Sequence, residues 1–122
     1  MDRQAAGRKA EDVAADFLTA QGLTLLLRNY RRRAGEIDVV ARENKVLVIA
    51  EVRTRASDEF GGAAASVTTR KQTRIRRAAM QLLQQNKDFA RMPVRFDVLV
   101  VSDIESDAPK VEWIKHAFNS SR

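Results

Sequence analysis

Apolar residues recur along the 122-residue chain with two different periods. Ala10, Val13, Ala14, Phe17 and Leu18 stand at helical spacing, which predicts an amphipathic helix over residues 7–21, stopped by Gly22. Leu23–Tyr30 is an apolar run of strand type, followed by the basic cluster Arg31-Arg32-Arg33. From Gly35 the period becomes two. Over Glu36–Arg42, Ile37, Val39 and Ala41 are apolar, and Glu36 and Asp38 lie between them. Glu43-Asn44-Lys45 is a turn signal. Val46–Arg53 is apolar on both faces, as expected of a central strand. Residues 56–65, with Gly61-Gly62, read as a mobile loop. Thr68–Asn86 is a second helix, with Ile75, Ala78, Ala79, Leu82 and Leu83 as its buried stripe and Arg70, Arg74 and Arg77 on the opposite face. Val94–Val101 and a short Val111–Lys115 are the last strands. The order α-β-β-β-α-β-β describes an α/β (α+β) fold, one mixed β-sheet flanked by helices. The core spans residues 7–117 of a single domain, with residues 1–6 and 118–122 expected to be flexible.

Composition narrows the chemistry. There is no Cys and only one His, His116, so thiol nucleophiles, Cys-ligated zinc and His-paired metal motifs are excluded. Any metal would be held by oxygen. The longest uncharged stretch, Phe17–Leu27, is far shorter than the roughly 20 apolar residues of a membrane span. No secretory signal is present at Met1-Asp2-Arg3-Gln4, so no membrane association and a cytoplasmic location are expected. Lys and Arg outnumber Asp and Glu by 22 to 16, a net charge of +6 that points to a polyanionic partner.

Glu51 is the most informative single residue. It sits inside Val-Leu-Val-Ile-Ala-Glu-Val-Arg, the most apolar strand of the chain. An ionised carboxylate buried there without a partner costs several kcal/mol. If Asn44-Lys45 is a two-residue hairpin loop, Glu43 pairs with Val46, Asp38 falls opposite Glu51 and Glu36 opposite Arg53. All four side chains then share one face of the hairpin. Two facing carboxylates repel. They are explained either by a hard divalent cation between them or by a structural ion cluster with Arg53. Basic residues that would contact phosphate are Arg31, Arg32 and Arg33, and Arg70, Arg74 and Arg77 on the second helix. His116 reads as structural or surface, and Trp113 as core or interface.

Gly35-Glu36-Ile37-Asp38, twelve further residues and then Glu51-Val52-Arg53 resemble the active-site hairpin of the PD-(D/E)XK nuclease superfamily, which includes restriction endonucleases and Holliday-junction resolvases. The whole chain, over residues 7–117, resembles the YraN-like family of small bacterial proteins. The match includes Gly7-Arg8-Lys9-Ala10-Glu11, Glu51-Val52-Arg53-Thr54-Arg55, Phe60-Gly61-Gly62, Lys71-Gln72 and Arg95-Phe96-Asp97-Val98. The resemblance implies a restriction-endonuclease-like sheet. It implies Mg²⁺ (or Mn²⁺) held by Asp38, Glu51 and Glu11, with Arg53 and Gln72 completing the catalytic set. It adds Arg55 and Lys71 to the residues that contact nucleic acid, and it implies a homodimer. The superfamily usually has Lys where this chain has Arg53. An arginine stays charged, so Arg53 cannot act as a general base but can hold phosphate.

Three functions compete on these grounds. They are a metal-dependent endonuclease acting on DNA, in branched or structured form by analogy with the resolvases; a nucleic-acid-binding protein with a weak or lost nuclease site; and a structural or interaction protein with a buried ion network.

Overall fold

The first amphipathic stripe forms a helix, α1 (Arg3–Ala20), in the computed structural model of the chain, which describes residues 2–55 and 67–119. α1 starts four residues before the apolar pattern does. Asp2 is its N-cap, and its carboxylate accepts the Ala5 N–H at 2.7 Å, so residues 3–6 are helical rather than loose. Three strands follow: β1 (Thr24–Arg32), β2 (Gly35–Glu43) and β3 (Val46–Arg55). The loop expected over residues 56–65 lies outside the described residues, as does Phe60-Gly61-Gly62. α2 (Thr69–Gln85) is capped by Thr68 and Asn86, the ends the sequence predicts. A single turn, α3 (Lys87–Ala90), leads into β4 (Val94–Ser102) and β5 (Lys110–Phe118).

The strands form one mixed sheet in chain order, antiparallel except for the parallel pair β3–β4, which α2 connects. β3 is central, as its two apolar faces require. On one face Ile37, Val40, Leu47, Ile49, Phe96, Val98 and Val100 pack against α2 through Ile75, Ala78, Ala79 and Leu82. On the other, Val39, Ala41, Val48, Ala50, Leu99 and Val101 pack against α1 through Ala10, Ala14 and Leu18. Among the described residues no helix is long and apolar enough to cross a membrane.

Gly35 opens β2 directly beneath α2, and a Cβ there would collide with the Arg74 carbonyl. Backbone cannot yield as a side chain does. Gly35→Ala is therefore expected to lower stability by about 1–3 kcal/mol, measured as a lower denaturant midpoint. An unchanged midpoint would show that α2 does not press on the sheet there.

Candidate functional site

Glu43 pairs with Val46, and the register runs unbroken to Val39 opposite Ala50, as the two-residue turn predicts. Asn44 supplies the left-handed residue of that turn, with φ 54°. Beyond Ala50 the ladder stops. Two features open it. On the β1 side the paired residues step from Arg28–Val39 to Tyr30–Ile37, skipping Asn29 and Asp38, and Asn29 has φ 55°. Within β2, Ile37 packs under α2 while Val39 packs under α1, so strict alternation breaks at Asp38. The Asp38 carboxylate takes the place of ladder bonding and accepts the Val52 N–H at 2.8 Å.

This break removes the pairing that would set Glu36 opposite Arg53, although Glu36, Asp38, Glu51 and Arg53 all line one crevice. Glu36 does not meet Arg53. It lies opposite Arg31 on β1 and accepts from that guanidinium at 3.2 Å. Asp38 and Glu51 remain neighbours, in this crevice of about 610 Å³, with Gly7, Glu11, Arg31, Glu36, Arg53 and Lys71 also on its walls.

The two acids carry an electrostatic problem that the described residues only half solve. Burial, and then the Glu51 charge, push the Asp38 carboxyl up to about 7; the Val52 N–H and the Lys71 ammonium act the other way. Glu51 is 3% exposed. Lys71 Nζ sits 2.9 Å from its Oε2, yet that buried oxygen has no properly directed hydrogen bond. The contact is thus an ion pair rather than an aligned hydrogen bond. Burial works against the charge on Lys71, but the hydrogen-bonding reach and charge of Glu51, with Asp38, outweigh it and raise the ammonium above its ordinary value. Lys71 is therefore a cation at neutral pH, not a base. Glu11 is also raised, by burial and then by the Asp38 charge, and is held back by Asn29 and Arg28.

A second buried acid provides the contrast. Asp97 is completely buried in β4, yet its two oxygens accept four hydrogen bonds. Arg95 donates twice at 2.8 Å, Trp113 Nε1 at 2.9 Å, and the His116 backbone N–H at 3.0 Å. That last bond fixes a β5 irregularity in which His116 has φ 55°. Asp97 is what a structural ion network looks like in this protein, and the Asp38–Glu51 pair does not resemble it.

The chemistry of the crevice fits a hard divalent cation. Two carboxylates face each other, the buried Glu51 Oε2 has an ion pair but no directed hydrogen bond, and burial with the Glu51 charge drives Asp38 towards protonation. Among the described residues no three acidic or histidine side chains gather closely enough to enclose an ion. Glu11 lines the crevice but is spent on Arg28, 3.9 Å away, and on Asn29. Gln72 is turned elsewhere: its amide donates to the Val67 carbonyl at 2.8 Å and accepts from Arg76 at 2.9 Å.

The remaining basic candidates disperse. Arg31 reaches the crevice, Arg32 lies over the Tyr30 ring at 4.1 Å, and Arg33 is exposed in the β1–β2 turn. Arg55 is 3.6 Å from Glu112. Arg70, Arg74 and Arg77 are exposed on the outer face of α2. Lys71, expected as a nucleic-acid contact, lies against Glu51 in the crevice. Its spacing to Ile75, Ala78 and Ala79 already puts it on the sheet-facing side of α2.

The model of uncharacterised protein family UPF0102 matches residues 10–101, which include Glu11, Asp38, Glu51, Lys71 and Asp97. The chain belongs to UPF0102. A UPF0102 protein of Nitrosomonas europaea is 48% identical over 94% of each chain. A UPF0102 protein of Saccharophagus degradans is 46% identical over 92% of this chain and 91% of its own. This is the family to which the YraN-like resemblance pointed. The UPF0102 match takes in the whole crevice except Gly7, so the open ladder and its acids lie within the part of the chain that defines membership.

Asp38 gives the site a pH signature. Its folded value near 7 lies above its ordinary 3.8, so the carboxyl takes up a proton on folding between those limits. Its contribution to stability is complete below about pH 4 and is lost as the pH rises through 7. Asp38→Asn removes that loss. In chelator the variant should gain on wild type by a few kcal/mol between pH 4 and pH 8, followed by denaturant titration at each pH. A pH-independent difference would mean that Asp38 ionises normally.

Proposed function

We propose that this UPF0102 protein is a divalent-metal-dependent endonuclease that hydrolyses phosphodiester bonds, with DNA as the first substrate to consider. The observation that carries the reading is the buried Glu51 oxygen, paired with Lys71 but without a directed hydrogen bond, beside an Asp38 carboxyl pushed up to about 7, in a fold that fully satisfies a second buried acid, Asp97.

Asp38 and Glu51 would hold the cation, with Glu11 at the wall of the same crevice. When bound, a divalent ion neutralises phosphoryl charge and activates water at neutral pH. Hydrolysis forms a bond from a water oxygen to phosphorus and breaks the bond to the leaving sugar oxygen, which takes up a proton. Lys71 lies against Glu51 as a fixed positive charge, placed to stabilise charge that builds on phosphate. Arg53 and Arg31 line the crevice as permanent cations that would orient a strand. Arg53 occupies the position where the superfamily usually has Lys, and the lysine comes from α2 instead.

The test incubates the protein with junction, flap, single-stranded and linear DNA and with RNA, in Mg²⁺ or Mn²⁺, beside Asp38→Ala and Glu51→Ala. Cleavage by wild type that both variants lose is the expected result. Binding without cleavage, unaffected by chelator, would overturn it in favour of a binding role.

A further inference from the structure

At the end of the sheet away from the acidic crevice, Arg42, Asn44, Lys45, Arg91, Met92 and Pro93 line an open cleft of about 520 Å³. Its walls are held by backbone. The β2–β3 turn is set by the left-handed Asn44. Facing it, Leu47 N–H donates to the Pro93 carbonyl at 2.8 Å and ties the α3–β4 connection to the start of β3. Arg91 is the C-cap of α3 and enters the cleft from that connection.

Seven cations of the described residues are paired, and the three that line the cleft are not among them. Arg28, Arg31, Arg55, Lys71, Arg95, Lys110 and Lys115 each have a carboxylate partner. Arg42, Lys45 and Arg91 are exposed, and among the described residues none has a carboxylate within ion-pairing distance. Like charges gathered in a concave, pre-shaped wall concentrate positive potential and attract a polyanion. Asn44 adds an amide, and among the described residues no aromatic platform for base stacking lines the cleft. Such a surface grips backbone and does not read bases.

We propose that the Arg42–Lys45–Arg91 cleft is a second, metal-independent site that binds the phosphodiester backbone of a nucleic acid. Arg42 is four residues from Asp38 along β2, about 13 Å at the strand rise. That is about four base-pair steps, so one bound molecule can span the cleft and the crevice. The cleft would hold a substrate for the proposed nuclease, but its own binding needs neither metal nor turnover.

The test measures affinity of the full chain for a labelled duplex in chelator, against salt. Arg42→Gln/Lys45→Gln/Arg91→Gln is compared with Arg3→Gln/Lys87→Gln/Lys110→Gln, which removes the same charge from scattered exposed sites. The cleft variant should bind about tenfold or more weakly at 50 mM salt, with the log–log salt slope reduced by about 2–3, and the control should change by less than threefold. Equal losses in the two variants, or none in the cleft variant, would overturn the proposal. Inorganic pyrophosphate is the second probe. If it binds more tightly than the duplex and is lost in the cleft variant, the cleft takes small phosphates and the assignment to a nucleic acid strand fails. Because cleavage is blocked throughout, an inactive crevice would leave these outcomes unchanged.

Discussion

Lys71→Met is expected to lose about 10²–10³ in the rate of metal-dependent cleavage, the usual cost of one preorganised charge or donor at a developing oxyanion. The mechanism is specific. Lys71 is the cation 2.9 Å from buried Glu51, on the first turn of α2. It is held charged by the two acids and cannot serve as a base, so its loss should change rate without moving a basic limb of the pH profile. Removing it also takes away a charge that lowers Asp38, so the Asp38 carboxyl should rise further above 7. The rate is therefore followed against pH in both proteins and compared at a pH above the Asp38 titration of each. Metal affinity at that pH should be retained, which separates lost catalysis from a lost site. Lys71→Arg should recover part of the rate. Full activity in Lys71→Met would remove Lys71 from the mechanism.

The second large effect is on stability. Arg95→Met should cost about 3–5 kcal/mol, the range for removing one member of a buried ion pair. Arg95 is the two-pronged donor to fully buried Asp97, and its remaining nitrogen donates to Glu43 at 2.7 Å. Without it Asp97 keeps only the Trp113 and His116 donors and an uncompensated charge. Much of a small domain's stability of about 5–15 kcal/mol would go. Arg95→Met/Asp97→Val should recover part of the loss, because the stranded charge goes with the carboxylate. It cannot recover all, since the Trp113 and His116 N–H groups lose their acceptor. Denaturant unfolding of the three proteins measures both. A loss below about 1 kcal/mol in Arg95→Met would make the Asp97 cluster a surface-grade interaction.

The fold was largely legible because its determinants are local or periodic. The α2 caps at Thr68 and Asn86 and the two-residue turn at Asn44-Lys45 are written in adjacent residues. The centrality of β3 follows from its two apolar faces. Alternation places Asp38 and Glu51 together only because the turn sets the register from its other end. The break in alternation at Asp38 is different. It depends on Asn29 turning left-handed on the neighbouring strand, and no pattern within β2 announces it. The same break sends Glu36 to Arg31 rather than to Arg53.

The structural roles of two residues are also legible in the sequence. Asp97 stands in Val-Arg-Phe-Asp-Val-Leu-Val, the same signal of an acid within an apolar strand that singles out Glu51, with Arg95 two positions away on the same face. Lys71 has the helical spacing of the buried stripe, not that of Arg70, Arg74 and Arg77. Gln72 shows the opposite case. Its position suits the crevice, but the carbonyl at Val67 and the guanidinium of Arg76 claim both ends of its amide. The turn α3 and the β5 irregularity at His116 follow from particular hydrogen bonds, to Asn86 and to Asp97, that sequence periodicity does not register.

Among the described residues the protein has two buried acidic sites, and they are answered by different means. Asp97 is satisfied by protein donors, whereas the Asp38–Glu51 pair is the one we propose holds a divalent cation. Calorimetric titration of Mn²⁺ into wild type, Asp38→Asn and Glu51→Gln at pH 7.5 tests that difference most directly. Wild type should bind the ion with release of protons from the partly protonated Asp38, and both variants should lose the heat. Equal heats in all three proteins, or no heat in wild type at millimolar Mn²⁺, would contradict it.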